Sequence, residues 1–357
     1  MTNMYQDTIK SKLDAIHRQE KVNILAFETS CDDTSISIVQ NGRQVIADVV
    51  SSQIQIHNLY GGVVPEIASR KHIEWINQTL ESCMKKAGLS YCDIDAVSAT
   101  YGPGLVGSLL VGLNAAKAAA FALSIPFIGV NHMEAHVAAN YITSKDLAPP
   151  FLCLVVSGGH TQIVAVEDYR TFRVIGETQD DAVGEAFDKI SRELGLGYPG
   201  GPLIEKLALQ GNAHAIPFPH AKLKTGAFDF SFSGLKTAVL NYLHNAQQRG
   251  ETVNTADVAA SFQYTAVSDL VQKTIGAAKL HGYKKIALAG GVAANKLLRE
   301  TLQKECRAAA FALFVPEFHY CTDNASMVAC AAYYQLRAGE FNTLDLNAKP
   351  QLEIGER

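Results

Sequence analysis

Two segments of the chain share one pattern of apolar and polar positions. Residues 23–39 begin with an apolar run, pass through a polar, acidic turn and end in a run where β-branched residues alternate with serine. Residues 152–166 repeat this arrangement with a glycine-rich turn. Runs of this kind on each side of a short turn predict two paired strands. One such unit at the start of each half predicts two related α/β lobes with a cleft between them.

Helical spacing of apolar residues follows each of these units. We expect a buried strand over residues 285–291 and helices over 66–86, 106–123, 181–195, 293–304 and 323–337. Residues 106–123 are apolar on every side, which indicates burial in the core or against a partner protein. Tyr5, Ile9, Leu13 and Ile16 predict a short amphipathic helix near the start of the chain.

The domain boundary is predicted at residues 144–150, where polar residues and Pro149-Pro150 interrupt the pattern. We therefore expect an N-terminal extension over residues 1–21 and a first lobe over 22–148 that a helix over 324–340 completes. A second lobe then covers residues 149–323, and a tail covers 341–357. The length of 357 residues exceeds that of one usual hydrophobic core, which agrees with two lobes.

Composition narrows the class of protein. The chain is 48% hydrophobic and 18% charged, which is typical of a globular fold. Its net charge of −4 argues against binding nucleic acid by bulk charge. Seven cysteines without a CxxC pair favour a reducing compartment. The first twenty residues lack the features of a transit or signal peptide, and apolar stretches are interrupted before about 18 residues, so we expect a cytoplasmic protein without a membrane helix.

His132 and His136 are the clearest candidates for metal binding. Four residues correspond to about 400° of helix rotation, so both imidazoles project from one face. Two ordinary helix histidines remain an alternative. A zinc peptidase would need its glutamate directly after the first histidine, whereas Glu134 lies roughly 200° away. Asp323 is the best candidate for a third ligand, although an aspartate there is equally well suited to cap the last helix.

Glycine-rich turns supply a second signal. Residues 157–161 read Ser-Gly-Gly-His-Thr, and bare backbone amides in such a turn can cradle a phosphate. Residues 28–34 hold the equivalent place in the first lobe with hydroxyls and carboxylates. Residues 101–107 and 290–295 form further turns between strand and helix. No P-loop motif and no recognisable catalytic nucleophile is present, so we expect chemistry by metal and positioning.

Ten ordered motifs closely resemble the transferases that synthesise tRNA threonylcarbamoyladenosine, the TsaD family, once described as O-sialoglycoprotein endopeptidases. The resemblance extends over residues 22–337. Its motifs lie at residues 28–34, 61–70, 102–107, 132–136, 156–162, 184–189, 198–202, 230–236, 290–295 and 321–324.

The resemblance implies an actin-, Hsp70- and sugar-kinase-like two-lobed α/β fold with duplicated lobes. The implied enzyme is an acyltransferase. It moves threonylcarbamoyl from threonylcarbamoyl-AMP to the exocyclic amine of the adenosine 3′ of the anticodon, in tRNAs that read codons beginning with A. The family's metal ligands match His132, His136 and Asp323, a set that suits Fe(II), with Zn(II) as the alternative. Its substrate-binding positions match Val155, Val156, Ser157, Gly158, Gly159, Asp188, Gly201 and Asn295.

The resemblance gives less guidance on the catalytic carboxylates. We hypothesise that Asp32 or Asp33 orients or deprotonates the attacking amine, with a role for Glu28 less expected. A structural turn carboxylate is the alternative. Asp33 stands where the family usually has glutamate, which puts a direct catalytic contact there in doubt. Ala135 replaces the usual glycine between the histidines and favours the helix.

Partners follow from the same resemblance. They are tRNA and, in bacteria, a TsaB-type paralogue and a TsaE-type ATPase, with residues 66–86 and 106–123 as expected contact faces. Two small basic clusters are candidates for RNA phosphate contacts, although such clusters are usually solvated surface. They are Lys222, Lys224 and Lys236 in one region and Arg70, Lys71 and His72 in another.

Three other functions remain open. A small-molecule kinase or ATPase of the same fold would share the paired strand units and the nucleotide turn, but it leaves the two histidines and Asp323 unexplained. A scaffold whose site has decayed would not be expected to retain all three candidate ligands. A metallopeptidase is disfavoured by the position of Glu134.

Overall fold

A five-stranded sheet forms the centre of the first part of the chain. Its strands are β1 (Asn23–Glu28), β2 (Asp33–Gln40), β3 (Gln44–Ser52), β4 (Ala96–Gly102) and β5 (Phe127–Asn131), in the order β3-β2-β1-β4-β5. β2 is antiparallel to β1 and β3, whereas β1, β4 and β5 are parallel. The three parallel strands are almost fully buried because both faces of the sheet are covered.

Five helices precede, connect or follow these strands. They are α1 (Thr2–Arg18), α2 (Ile54–Asn58), α3 (Pro65–Ala87), α4 (Val106–Leu123) and α5 (His132–Thr143). α3 and α4 pack on one face of the sheet, where Ile76, Met84 and Leu113 join Ile36 and Ile38 in one core cluster. In α1, Ile9 is fully buried and the Tyr5 hydroxyl donates to the carbonyl of Ile125 at 2.7 Å. The predicted N-terminal extension is therefore a packed part of the fold.

A second five-stranded sheet has the same connectivity as the first. Its strands are β6 (Phe151–Val156), β7 (Thr161–Val166), β8 (Phe172–Glu177), β9 (Lys285–Ala289) and β10 (Ala312–Phe314), in the order β8-β7-β6-β9-β10. β7 is antiparallel to both of its neighbours, and β6, β9 and β10 are parallel. The two predicted strand–turn–strand units are β1–β2 and β6–β7, so the duplication extends to the whole sheet.

The helices of this second part connect its strands. They are α6 (Val183–Glu193), α7 (Gly200–Ala208), α8 (Ser233–Arg249), α9 (Thr255–His281) and α10 (Lys296–Ala308). Short 3-10 turns occur at Tyr91–Asp93, Gly291–Ala294 and Phe318–Tyr320. The expected helices at 181–195 and 293–304 correspond to α6 and α10 with shifted ends.

The last helix, α11 (Ala325–Arg337), returns to the first sheet. The hydroxyl of Ser35 accepts from the backbone nitrogen of Ala325 at 2.8 Å, and the hydroxyls of Ser37 and Ser326 lie 2.7 Å apart. Side chains alternate along a strand, so these serines point away from the face that carries Ile36 and Ile38. α11 therefore covers the side of the sheet opposite α3 and α4.

The computed structural model describes residues 2–220, 223 and 225–356 and divides into two compact units. The first comprises residues 1–148, 168–171 and 316–357, and the second comprises 149–167 and 172–315. This differs from the predicted division because residues 316–323 belong to the first unit. The backbone nitrogen of Glu317, for example, donates to the Thr143 hydroxyl at 3.1 Å.

The predicted tail also belongs to the first unit, since Leu352 and Ile354 are buried against it. Residues 168–171 join that unit through Tyr169, whose ring stacks on Tyr334 with centroids 4.0 Å apart. These contacts join residues far apart in sequence, which explains why a boundary drawn from local composition missed them.

α4 corrects the expectation that no apolar stretch reaches membrane-spanning length. Among the described residues it is the one helix that passes a length-and-hydropathy test for a membrane span, with 18 residues and a mean hydropathy of 1.6. Leu109, Leu113 and Ala116 on one side are buried in the first unit. Val106 and Phe121 are 54% and 51% exposed, so α4 also presents an apolar outer surface.

Candidate metal centre and active site

The two candidate histidines lie in the first turns of α5. The Asn131 side chain, at the end of β5, accepts a hydrogen bond from the backbone nitrogen of Met133 at 2.9 Å and so caps the helix. The cap fixes where α5 begins relative to the end of β5, and this fixes the positions of His132 and His136. Their ring centroids are 4.5 Å apart, and both side chains are buried. The predicted placement on one helix face is correct.

Asp323 approaches both imidazoles from the start of α11. Its Oδ1 lies 3.4 Å from His132 Nε2 and 3.3 Å from His136 Nε2. The alternative role of Asp323 as a helix cap is wrong, because the side chain of Asn324 accepts from the Met327 nitrogen and caps α11. Asp323 is thus left to face the histidines.

This arrangement fits a divalent cation. One ligand atom from each of the three side chains lies within 4.8 Å of the other two. Bonds of about 2.1 Å to a tetrahedral ion place neighbouring ligand atoms about 3.4 Å apart, close to the two separations that involve Asp323. Both nitrogens of His136 are buried, and no described residue offers either of them a partner in hydrogen-bonding geometry, although Asp323 is near. A cation bound here would interact with the nitrogen lone pair of the buried His136 ring.

Glu28, at the end of β1, holds His132 in place. Its fully buried carboxylate accepts from the Ser30 nitrogen at 2.6 Å, from the Thr100 hydroxyl at 2.5 Å and from His132 Nδ1 at 3.0 Å. Because Nδ1 donates to the carboxylate, Nε2 is the nitrogen that faces Asp323. A carboxylate behind a histidine in this way fixes the ring and raises its basicity as a metal ligand. The sequence predicts only a lesser part for Glu28 among the carboxylates and does not predict its contact with His132.

Burial and neighbouring charges explain the pKa shifts of the two histidines and of Asp323. Burial lowers the pKa of His136, and the neighbouring His132 lowers it further, so its lone pair is available to a metal. Burial opposes protonation of His132 as well, but the carboxylates of Glu28 and Asp323 outweigh it and hold the His132 pKa well above its usual value. Burial works against the charge of Asp323, yet the histidines lower its pKa.

Asp32 lies in the turn between β1 and β2, and Asp33 is the first residue of β2. Burial raises the pKa of both carboxyl groups, and the negative charge of Asp323 adds to each shift. The pKa of Asp33 reaches about 7, and its Oδ1 is buried with no hydrogen-bond partner in the described part of the chain. The Asp32 carbonyl accepts from the Gln53 nitrogen at 3.2 Å, which anchors the turn. The negative charge of Asp323 therefore makes both Asp32 and Asp33 harder to deprotonate.

His72 is a buried support for the same turn. Its Nε2 donates to the carbonyl of Cys31 at 3.0 Å, and its Nδ1 lies 2.8 Å from the Thr34 hydroxyl. Since the imidazole is fully buried, the expectation that His72 contacts RNA phosphate is wrong. Arg70 and Lys71 remain on the outer side of α3, where they pair with Glu66 and Glu74.

The predicted substrate-binding residues all lie in the second unit. Val155 and Val156 are buried at the end of β6, and the turn that follows exposes Gly158 and Gly159 with open space beside each α-carbon. The Ser157 hydroxyl accepts from the His160 nitrogen at 3.1 Å and shapes the turn. Gly290 has a φ of 89°, and a β-carbon there would lie 2.4 Å from the Val156 carbonyl oxygen. Glycine is therefore required where β9 passes this turn.

Asp188 and Asn295 each form hydrogen bonds at the start of a helix. The Asp188 carboxylate accepts from the Gly200 nitrogen at 2.7 Å and so fixes the start of α7, where Gly201 has open space around it. The Asn295 side chain caps α10 and donates to Gln263 Oε1 at 3.0 Å. Sequence reasoning missed Gln263, because nothing in the surrounding pattern of α9 distinguishes it from other buried positions.

Comparison with solved structures identifies the fold class. HypF from T. kodakarensis matches with a TM-score of 0.64 at 14% identity, over 90% of this chain and 49% of that one. The (R)-2-hydroxyglutaryl-CoA dehydratase component A of Acidaminococcus fermentans matches with a TM-score of 0.52 at 13% identity, over 88% of this chain and 99% of that one. The predicted actin- and sugar-kinase-like α/β fold is confirmed.

Comparison with sequences identifies the family. The model of TsaD, tRNA N6-adenosine threonylcarbamoyltransferase, matches residues 44–330. Enzymes of that name from Clostridium botulinum and Clostridium perfringens are 55% identical over 339 and 338 residues, which is 95% of this chain and 100% of each relative. The chain belongs to the TsaD family of tRNA-modifying acyltransferases.

Replacing the Glu28 carboxylate tests its support of the metal centre. We expect Glu28→Gln to weaken divalent metal binding by about tenfold to a hundredfold, because the neutral amide orients His132 less well and lowers its basicity. Titration of the chelator-treated protein with Zn²⁺ against a competing indicator measures this. Glu66→Gln, at an exposed position on α3, is the matched control. Equal affinities in Glu28→Gln and wild type would contradict the assigned role.

The raised pKa of Asp33 predicts a pH-dependent effect on stability. A folded pKa of about 7 means that the folded protein holds the Asp33 proton more tightly than the unfolded chain, whose pKa is about 3.9. Stability from this group is complete below the unfolded pKa and is lost as pH rises through 7. Asparagine does not titrate, so Asp33→Asn does not undergo this loss. When the pH is raised from 5 to 8, the free energy of unfolding of the variant should therefore rise by about 2–3 kcal/mol relative to that of wild type.

Urea unfolding of the chelator-treated proteins at both pH values provides the measurement. Asp14→Asn, at an exposed site, controls for removal of a carboxylate. A stability difference between Asp33→Asn and wild type that is the same at pH 5 and pH 8 would show that Asp33 does not hold its proton in the folded state.

Proposed function

We propose that the chain transfers threonylcarbamoyl from threonylcarbamoyl-AMP to the N6 amine of the adenosine 3′ of the anticodon, in tRNAs that read codons beginning with A. The observation that carries the metal-assisted part of this proposal is the convergence of the buried His132 and His136 and the partly buried Asp323 on one point. Family membership supports the tRNA substrate and the acyl group. Neither a kinase nor a peptidase reaction accounts for both findings.

His132, His136 and Asp323 would hold the cation, with Glu28 fixing the first histidine. A two-histidine, one-carboxylate set leaves open coordination positions and suits Fe(II), with Zn(II) as the alternative. An ion held by these residues would supply positive charge near the oxygens of the donor, where negative charge develops during transfer.

The nucleotide part of the donor would be bound by the second unit. Exposed backbone amides of Gly158 and Gly159 are suited to phosphate oxygens, because no side chain blocks their approach. Gly201, at the start of α7, and Asn295, at the start of α10, would contact the remainder of the nucleotide. Asp188 would act indirectly by holding Gly200.

Asp33 is the better candidate for the general base. Its raised pKa of about 7 matches a group that must accept a proton near neutral pH, and its buried Oδ1 has no other partner. In the proposed step, the N6–carbon bond forms, the carbon–oxygen bond to AMP breaks and the amine proton passes to Asp33. Asp32 would orient the amine. The shorter side chain of Asp33 relative to glutamate requires the adenosine to approach more closely.

Protein partners would bind the outer surface of α3 and α4. Ile73 on α3 and Val106 and Phe121 on α4 are 65%, 54% and 51% exposed, an apolar area that suits a TsaB-type paralogue. A TsaE-type ATPase completes the proposed bacterial set. We place the reaction in the cytoplasm, where the tRNA substrate is found.

Of the two predicted basic clusters, the described residues offer few side chains to tRNA phosphates. Arg70 and Lys71 are available on α3, while Lys236 is largely buried in an ion pair with Asp181. Lys222 and Lys224 lie outside the described residues. The small basic surface agrees with RNA binding that relies on partner proteins.

A transfer assay tests the proposal directly. Threonylcarbamoyl-AMP labelled in its threonine is supplied with the chain, its partner proteins and tRNA carrying adenosine or guanosine 3′ of the anticodon. We expect label in the adenosine tRNA alone and at least about a hundredfold slower transfer by His136→Ala, because charge stabilisation at the donor is lost. His244→Ala, at an exposed histidine, should transfer at the wild-type rate.

Two results would contradict the proposal. Transfer by His136→Ala at the wild-type rate would exclude the metal-assisted mechanism. Absence of transfer by wild type, together with phosphorylation of a small molecule by ATP, would favour the kinase alternative.

A further inference from the structure

Residues 341–356 form a strap across the first unit. The backbone nitrogen of Asn342 donates to the Phe127 carbonyl at 2.8 Å, and its side chain accepts from the Gly129 nitrogen at 2.7 Å, so the strap begins along the edge of β5. The Lys349 nitrogen then donates to the Tyr101 carbonyl at 2.7 Å, at the end of β4. The strap thus runs along β5, which leads directly into α5 and its histidines, and passes the end of the neighbouring strand β4.

The last part of the strap contacts α5 at two points beside the histidines. The Asn131 amide, whose oxygen caps α5, donates to the carbonyl of Glu353 at 2.7 Å. The Gly355 nitrogen donates to the Glu134 carboxylate at 3.3 Å. Asn131 directly precedes His132, and Glu134 lies midway between the two histidines on the opposite side of the helix. The strap therefore contacts α5 from behind the metal-binding face.

The strap is firmly anchored by apolar contacts. Leu352 and Ile354 are 3% and 8% exposed, and Leu344 and Leu346 pack against the core cluster of the first sheet. Leu352 and Ile354 alternate with Glu353 and Gly355, the two residues that contact α5. Burial of the apolar pair thus fixes the positions of the backbone groups between and beside them.

We propose that this strap positions the metal-binding helix, with Asn131 and Glu134 as the positioning residues through which it acts. The inference rests on the proposed metal centre. Metal ligands must be held to within about 0.5 Å, and the hydrogen bonds to Asn131 and Glu134 oppose rotation and sliding of the first turn of α5. Loss of the strap contacts leaves the three ligands present but less well aligned, which weakens metal binding.

Gly102→Ala displaces the strap without altering any candidate ligand. A β-carbon at Gly102 would lie 2.0 Å from the Lys349 carbonyl oxygen, so the strap must move. A second variant lacks residues 352–357, and a third, Glu134→Ala, removes one contact in the full-length chain. Gly234→Ala is the matched control, because an added β-carbon there meets nothing within 4 Å.

The measurement is the affinity for Co²⁺ of the chelator-treated wild type and of each variant, followed by the visible absorption of the bound ion. We expect affinity to fall by about tenfold to a hundredfold in the three strap variants and to remain unchanged in Gly234→Ala. The absorption spectrum should shift in Gly102→Ala, because the ligand geometry changes. Circular dichroism at the titration temperature establishes that each protein is folded.

The outcomes separate the inference from the proposed function. Folded strap variants that bind Co²⁺ as tightly as wild type, with lowered thermal stability only, would overturn the positioning role. If Gly102→Ala and the shortened chain fail to fold, Glu134→Ala decides in the same way. Absence of Co²⁺ binding by wild type would overturn the metal centre itself, and the inference with it.

Discussion

Four neighbouring ionisable side chains set the main constraint on the first unit: the buried Glu28, His132 and His136 and the partly buried Asp323. Each would be costly to bury alone, and each shift in pKa reflects the cost of burial together with the charge of a neighbour. The cluster is satisfied only if β1, α5 and α11 meet with the correct spacing. The first sheet, the helix caps Asn131 and Asn324 and the strap of residues 341–356 all help to maintain that spacing.

Local sequence patterns were sufficient for much of the fold. The paired strand units predicted the duplicated sheets, and apolar spacing predicted α1, α3, α4 and α6. The interval between His132 and His136 placed both on one helix face, because helix geometry is independent of the rest of the chain. The glycine-rich turn of residues 157–161 was recognised for the same reason, since its conformation depends on its own residues.

Long-range contacts could not be predicted in this way. Glu28 and His132 are separated by 104 positions in the chain, and Asn131 and Glu353 by 222. No periodicity in the sequence predicts such contacts. The sequence alone therefore does not predict that Glu28 holds His132, that His72 is buried or that residues 341–356 pack on the first unit. A catalytic role for Asp33 is still a proposal. Its buried Oδ1, which has no hydrogen-bond partner among the described residues, is a physical reason for that role.

The most direct test of the account is mass spectrometry of tRNA nucleosides from cells depleted of this protein. We predict that threonylcarbamoyladenosine disappears on depletion, returns with the wild-type chain and does not return with the chain carrying both His132→Ala and His136→Ala. Full restoration by the double variant would contradict the central place given to the buried cluster. Normal modification in depleted cells, with no second enzyme to account for it, would contradict the proposed reaction.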